Sequence, residues 1–397
     1  DWGRLDMTSE WNHFALGEIT ELVIDYRGKT PKKLGGDWCK QGYRALSAKN
    51  IKTGRIVQAE TIRYIDESLY RKWMKDEIQR GDILITSEAP FGQIFFWDSD
   101  EKIVLSQRLF CVRIKPEYDA RFIYYYMTTP EFQSELDGRA TGTTVIGLRQ
   151  PELMKCVIRC PEIQEQKVIA AILSSIDAKI IANEKVNDNL ADLLQTIYQG
   201  RFGNDILAVN QGVLSDICSY STDKVAVSEL NVRTYFSTEN MLSGKAGSTE
   251  ATSLPTTSQT TACHKGDTLI SNIRPYFKKI VYCEDKCGCS TDVLCFTPSQ
   301  PCYSAYLFST LYADKFFAFM VAGSKGTKMP RGDKQQIMTY PVVLPSEEEL
   351  AGFNTIASPL LEQIYSNRAE NKRLSILRDT LLPKLMSGEI NVSAIQL

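Results

Sequence analysis

One apolar stripe, written twice, constrains this chain more than any other feature. Between Pro161 and Arg201, Leu173, Ile176, Ile180, Asn183, Asn187, Leu190, Leu194 and Ile197 recur at alternating three- and four-residue steps. That is the seam of a coiled-coil helix, which must be covered by a partner. Glu162 and Glu165 fall in the first turn, where carboxylates suit the positive helix end, and no Gly or Pro intervenes before Gly200. The spacing predicts a long helix over 161–201. A shift of 184 residues gives Ala357, Leu360, Ile364, Asn367, Asn371, Leu374, Arg378 and Leu381, with both asparagines repeated. A second long helix is therefore expected over 346–388, stopped by Pro383 and Gly388.

The repeat extends beyond the helices. GTTVIGLRQPELMKCVIRCP (142–161) answers GTKMPRGDKQQIMTYPVVLP (326–345) without a gap, and RGDILITSEAPF (80–91) answers KGDTLISNIRPY (265–276). A period this long is a duplicated domain, not a solenoid. Each half reads strand-rich domain, then helix: 7–160 and 161–201, then 202–345 and 346–388, with 389–397 as a tail. The short link from Tyr198 to the next strand near Val213 sets the end of one helix beside the start of the other. The pair is thus expected to run antiparallel, with a domain at each end of the rod. That register brings Asn183 to Asn371 and Asn187 to Asn367. Buried amides there would penalise slipped pairings. The alternative is that the four asparagines face solvent.

Apolar content of 43 % and charged content of 24 % suit a globular chain, and the longest apolar runs fall short of a bilayer span. No charged-then-apolar leader opens the chain, and Met7 is a plausible start. Eleven scattered cysteines suit a reducing cytoplasm better than a disulfide framework. A net charge of −2 excludes a uniformly basic nucleic-acid binder but not local basic loops. Such loops carry Arg27, Lys29, Lys32 and Lys33, then Arg274, Lys278 and Lys279, then Lys325, Lys328 and Arg331.

Along the first half, strands are expected at 11–25, 43–51, 56–65, 83–86, 93–97 and 109–114, with a helix over 118–136 whose aromatic stripe reads as core. The second half should repeat this with strands at 268–272, 279–283 and 293–297 and a helix over 304–321. There the polar stretch 235–260 replaces the middle loops. The fold class is α+β: two similar strand-rich domains separated by two long antiparallel helices. A shared frame with diverged loops is a layout for recognition.

Catalytic motifs are not found. Val23 stands where a phosphate loop ending at Gly28-Lys29-Thr30 needs glycine, and there is no G-x-G-x-x-G, amino-methyltransferase tetrapeptide or H-E-x-x-H. His13 and His264 are the sole histidines. Cys283, Cys287, Cys289 and Cys295, near Cys263, lack the paired C-x2-C of a zinc knuckle. Cys295 instead matches Cys111 as a buried strand residue. No metal site and no cofactor are expected in this chain.

With these parts in place the chain resembles the specificity subunit of type I restriction–modification systems. The resemblance rests on PEIQEQKVIAAILSSIDAKI, LRDTLLPKLMSGEI, SAKNIKTGRI, EAPFGQI, SQRLFCVRI, YFSTENM, SNIRPYF and GTKMPRGDK, in that arrangement around a duplicated helix. It implies a non-catalytic reader of double-stranded DNA, one half-site per target recognition domain. Two modification subunits, using S-adenosylmethionine to methylate a flipped adenine, would dock on the helices. Restriction subunits, using ATP and Mg, would join them. Helices of roughly 38 residues, about 57 Å long, would act as a ruler for the unread spacer. The expected DNA donors are Lys29, Thr30, Lys32, Lys33, Asn50, Ser87, Gln93, Gln107 and Arg108 in the first domain. In the second they are Asn272, Arg274, Tyr276, Lys278, Lys328 and Arg331. Arg, Asn and Gln can grip base edges bidentately, whereas Lys chiefly neutralises phosphate. The alternatives are a coiled-coil adaptor that binds proteins without DNA specificity, and a nuclease whose site the sequence hides.

Overall fold

The computed structural model describes residues 11–142, 146–203, 211–393 and 395. The suggested start at Met7 and the last residues of the tail lie outside them. The chain divides into two compact units. One holds the chain up to Ile180 together with Arg373 onward, and the other is Ile181–Lys372. Two helices of 40 residues each, Ile163–Phe202 and Glu347–Met386, contribute to both units. Among the described residues no helix is long and apolar enough to cross a membrane.

In the first unit an antiparallel sheet has the order Thr20–Asp25, Leu109–Ile114, Ile83–Thr86, Ile94–Phe96. Alternation sends Ile83, Ile85, Phe110 and Val112 to one face, against Phe122, Phe132, Ile169, Leu173 and Leu385. Leu84, Leu109 and Cys111 go to the other, against Trp73 and Trp97. Both faces are thus buried, which is why these strands read as nearly continuous apolar runs.

The second unit repeats the sheet strand for strand: Cys218–Tyr220, Val293–Pro298, Thr268–Ser271, Ile280–Tyr282. Ile270, Leu294 and Phe296 face Tyr198, Tyr306 and Phe353, while Leu269, Val293 and Cys295 face the opposite way. A two-stranded pair joins the entry of each half to its exit, Asn12–Ala15 with Val157–Cys160 and Gln211–Val213 with Pro341–Val343. The units diverge in their other sheet. The first has three strands, Arg63–Ile65, Tyr43–Leu46 and Val104–Leu105. The second has four: Lys224–Ala226, Gln259–Cys263, Cys287–Cys289 and Tyr235–Phe236. Strand Cys287–Cys289 carries no apolar alternation that periodicity could register.

The helices run antiparallel within each unit. In the second, Asn183 Nδ2 donates to Asn371 Oδ1 at 2.8 Å and to Glu370 Oε2 at 2.7 Å, and Asn367 Nδ2 donates to Asn187 Oδ1 at 2.9 Å. In the first, Arg378 Nη1 meets Asp177 Oδ1 at 2.8 Å, and the Tyr125 hydroxyl donates to Asp177 Oδ2 at 2.6 Å. Burial, with Asp177 adding to it, pushes the Tyr125 phenol far up.

Three helix boundaries differ from expectation. The stretch 118–136 is two helices, Ala120–Met127 and Pro130–Arg139, because Pro130 has no N–H for the preceding turn and suits a first-turn position. Likewise 304–321 is Ser304–Tyr312 and Asp314–Ala322, broken at extended Ala313. The second long helix continues through Pro383 to Met386, since Leu385 and Met386 are buried against the first unit's core. Gly388, at φ 77°, then turns the chain.

Candidate nucleic-acid interface

In the first unit, three loops at one end of the doubly buried sheet form an open polar cavity of about 540 Å³, lined by Asp25, Arg27, Gly28, Ser87, Glu88, Gln107 and Arg108. A second cavity of about 240 Å³, reaching Trp38, Lys49, Asn50 and Arg63, shares Gln107 and Arg108 with it. Backbone hydrogen bonds lock the loops to one another. Ser87 N donates to Arg108 O at 2.9 Å, Leu148 N to Ser87 O at 3.0 Å and Ala48 N to Gln107 O at 3.1 Å. Arg108 pays for its place with a left-handed φ of 64°, a conformation that a side chain disfavours. Its Nε lies 3.0 Å from Glu88 Oε1 and half of the side chain is exposed. Arg27 lies over the Phe110 ring at 4.1 Å, with Nε and Nη2 each 2.8 Å from the Asp25 carboxylate. An exposed single-bond pair such as Arg108–Glu88 is worth about 1 kcal/mol or less. Arg108 can therefore exchange its carboxylate for another acceptor at little cost, whereas the part-buried, two-bond Arg27–Asp25 pair is held more firmly.

The expected donors of this unit separate into two groups. Lys32, Gln107 and Arg108 are exposed, and Lys33, also exposed, donates to Gly28 O at 2.9 Å. Ser87 is buried, but it lines the cavity. The rest are engaged in holding loops. Asn50 is fully buried. Its Oδ1 accepts from Ser47 N at 3.1 Å, and its Nδ2 reaches Gln58 O at 3.3 Å and Thr61 Oγ1 at 3.0 Å. It is a strut for the 47–61 turn, not a free donor. Lys29 donates to Trp73 O and stands 3.7 Å over the Tyr26 ring; desolvation pulls its ammonium pKa down. Gln93 Oε1 accepts from Thr53 N at 3.0 Å, and Thr30 Oγ1 accepts from Lys33 N at 3.4 Å.

The second unit rebuilds the same loop junction. Asn272 takes the place of Ser87: its N–H donates to Asp292 O at 2.8 Å, and its carbonyl accepts from Gly332 N at 3.3 Å. Its side chain is buried, and Oδ1 has no hydrogen-bond partner among the described residues. Arg274, at φ 50°, donates through Nη2 to Lys328 O at 3.4 Å, and its N–H reaches Pro330 O at 2.8 Å. Arg331 Nη2 meets Asp292 Oδ1 at 2.9 Å. Lys278, also left-handed, shares Asp314 with Lys245, at 2.9 and 2.8 Å; the two ammoniums hold that carboxyl below its ordinary range. Tyr276 is half exposed, edge-on to Phe277 at 4.8 Å.

The structure thus brings Arg274, Tyr276, Lys278, Lys328 and Arg331 to two adjoining loops. At the first unit's cavities it adds Arg27 and Arg63, and beside the second unit's loops it adds Lys245 and the Phe277 ring, none of which was among the expected DNA contacts. Arg27 was visible as part of a basic loop. Lys245 was not, because its partners lie more than thirty residues away. Among the described residues no three His, Cys, Asp or Glu side chains are arranged to hold a metal ion.

Residues 8–191 match the family model described as "Type I restriction modification DNA specificity domain". The MjaVIII type I restriction enzyme specificity subunit of Methanocaldococcus jannaschii is 28 % identical over 191 residues, which is 47 % of this chain and 44 % of that protein. The MjaIX specificity subunit of the same organism is 22 % identical over 373 residues, 79 % of this chain and 78 % of that one. The matched stretch therefore spans less than half of the first relative. A crystal structure of a type I restriction–modification S subunit from M. genitalium shares the fold, with a TM-score of 0.60 at 17 % identity over 96 % of this chain and 98 % of that one.

Proposed function

We propose that this chain, a member of the specificity-subunit family of type I restriction–modification systems, reads a two-part DNA sequence, one half-site at the loop junction of each unit. It performs no bond chemistry itself. The supporting observation is the duplicated junction. The same backbone ties hold Ser87 beside Arg108 and Asn272 beside Asp292, while the side chains presented differ. A common frame with unlike donors is what two unlike half-sites require. In this reading Arg108, Gln107, Arg274 and Arg331 face base edges, while Lys32, Lys33 and Lys328 neutralise phosphate. Methyltransferase and restriction subunits dock on the long helices. Exposed Ile181, Val186 and Leu193 on the first helix, and Ile376 and Leu377 on the second, support that surface.

The test is methylome sequencing of a host expressing this chain with its modification subunits. The expected result is a two-part N6-methyladenine motif that disappears with this chain. Arg274→Ala should relax or abolish reading of one half while leaving salt-dependent binding to random DNA largely intact. Equal loss of both reduces Arg274 to a phosphate contact.

A further inference from the structure

The second unit carries a group of buried thiols that DNA reading does not use. Cys263, Cys283, Cys287, Cys289 and Cys295 are buried, reduced and packed into one apolar cluster with Leu269, Val281 and Val293. The sulfurs of Cys283 and Cys287 lie 3.5 Å apart. Between them in sequence are only Glu284, Asp285 and Lys286. Asp285 and Lys286 are exposed, so the pair sits directly beneath a surface turn.

Packing alone does not call for sulfur at this place. In the first unit the matching backbone position is Trp97: its N–H donates to Asp82 O and its carbonyl accepts from Gly81 N, both at 2.8 Å. Cys283 makes the same two bonds, to Asp267 O at 2.9 Å and from Gly266 N at 2.8 Å. One repeat fills the position with a large indole and the other with a thiol that touches a second thiol. Cys287 is further distinguished by Cys263, its direct partner across two antiparallel strands. The neighbouring Cys263 and Cys283 thiols lower the Cys287 pKa against the opposing effect of burial, which favours Cys287 as the attacking sulfur of the pair.

We propose that Cys283 and Cys287 form a dithiol that hydrogen peroxide converts to a disulfide. The Cys287 thiolate attacks a peroxide oxygen; the O–O bond breaks, and the departing hydroxide takes a proton and leaves as water. Cys287 is then a sulfenic acid. The Cys283 sulfur attacks it, the S–O bond breaks, and a second water leaves with the Cys283 proton. The peroxide gains two electrons, one from each sulfur. The sulfurs close from 3.5 Å to about 2.05 Å, stapling the 284–286 turn.

The experiment treats the full-length native chain with hydrogen peroxide, unfolds it in N-ethylmaleimide and maps the peptides. The expected result is a loss of about 2 Da joining Cys283 to Cys287, with both protected from alkylation before exposed Cys302 is modified. In Cys283→Ser, dimedone should trap a sulfenic acid on Cys287, with a far-ultraviolet circular dichroism spectrum matching the wild type. Should that variant misfold, the wild-type map decides alone. Three outcomes overturn the proposal: Cys302 and Cys39 oxidise while Cys283 and Cys287 stay alkylatable, the bond joins Cys287 to Cys263, or mercurial treatment of the untreated chain releases a stoichiometric thiol-bound metal.

Discussion

Arg108 shows how a single residue can be placed for use at a cost to folding. Its left-handed backbone favours glycine by about 1 kcal/mol, and the loss is not repaid by an exposed pair with Glu88. Arg108→Gly should therefore leave Tm nearly unchanged, the relieved strain offsetting glycine's greater unfolded-state freedom. Specific DNA binding should fall by roughly tenfold or more if a bidentate base contact is lost. Calorimetry and a competition binding assay read the two separately, and a large fall in Tm would recast Arg108 as structural. Asn50 and Lys29 mark the limit of reading at this scale. Residue type identified them as capable donors, but a donor's availability depends on what surrounds it. Five bonds to its own turn occupy Asn50, and an aromatic ring with a carbonyl occupies Lys29.

Duplicated elements give matched experiments. Asp82 and Asp267 are each buried after the same Gly, and each accepts a backbone N–H at 2.8 Å. Arg113 clamps Asp82 through two bonds of 2.8 Å, whereas Thr297 stands at the matching position in the second unit. Asp82→Asn strips the half-buried Arg113 guanidinium of its carboxylate, leaving it the Glu77 carbonyl, and should cost about 2 kcal/mol. Asp267 behaves oppositely. Burial pushes its carboxyl up, while the His264 N–H, Cys295, Thr297 and the His264 ring at 3.8 Å act against that rise. With the folded pKa above the unfolded one, its contribution is full below the unfolded value and is lost as pH rises through the folded one. Asp267→Asn should raise Tm at pH 7, and the gain should vanish towards pH 4; a gain independent of pH rejects the account.

The helical asparagines offer a third comparison. Asn187→Leu alone leaves the Asn367 Nδ2 without its acceptor and should cost about 1–3 kcal/mol. Adding Asn367→Leu should recover most of that. A double-mutant cycle showing simple additivity would deny the coupling.

For the whole molecule, each 40-residue helix is about 60 Å long. If helix length sets the number of unread base pairs, deleting one four-residue step from each should shorten the preferred spacer in a methylation assay. An unchanged spacer removes the ruler from the proposal. The duplication, the two helices and the sheet shared by both halves were legible because each is carried by periodic apolar positions or by gapless internal similarity. Leu173 and Ile176 on one helix, Ile83 and Ile85 on one strand, announce a face by spacing alone. Helix ends were less legible: Pro383 signals a stop that burial of Leu385 and Met386 overrides. Hidden altogether were strand Cys287–Cys289, the shared Asp314 of Lys245 and Lys278, and the contact between Cys283 and Cys287. Local sequence by itself determined which segments bury a face and that the chain says the same thing twice. Tertiary structure alone decided which donors are already spent, because a hydrogen bond is made between groups close in space, and nearness in space across loops has no period for a sequence to display.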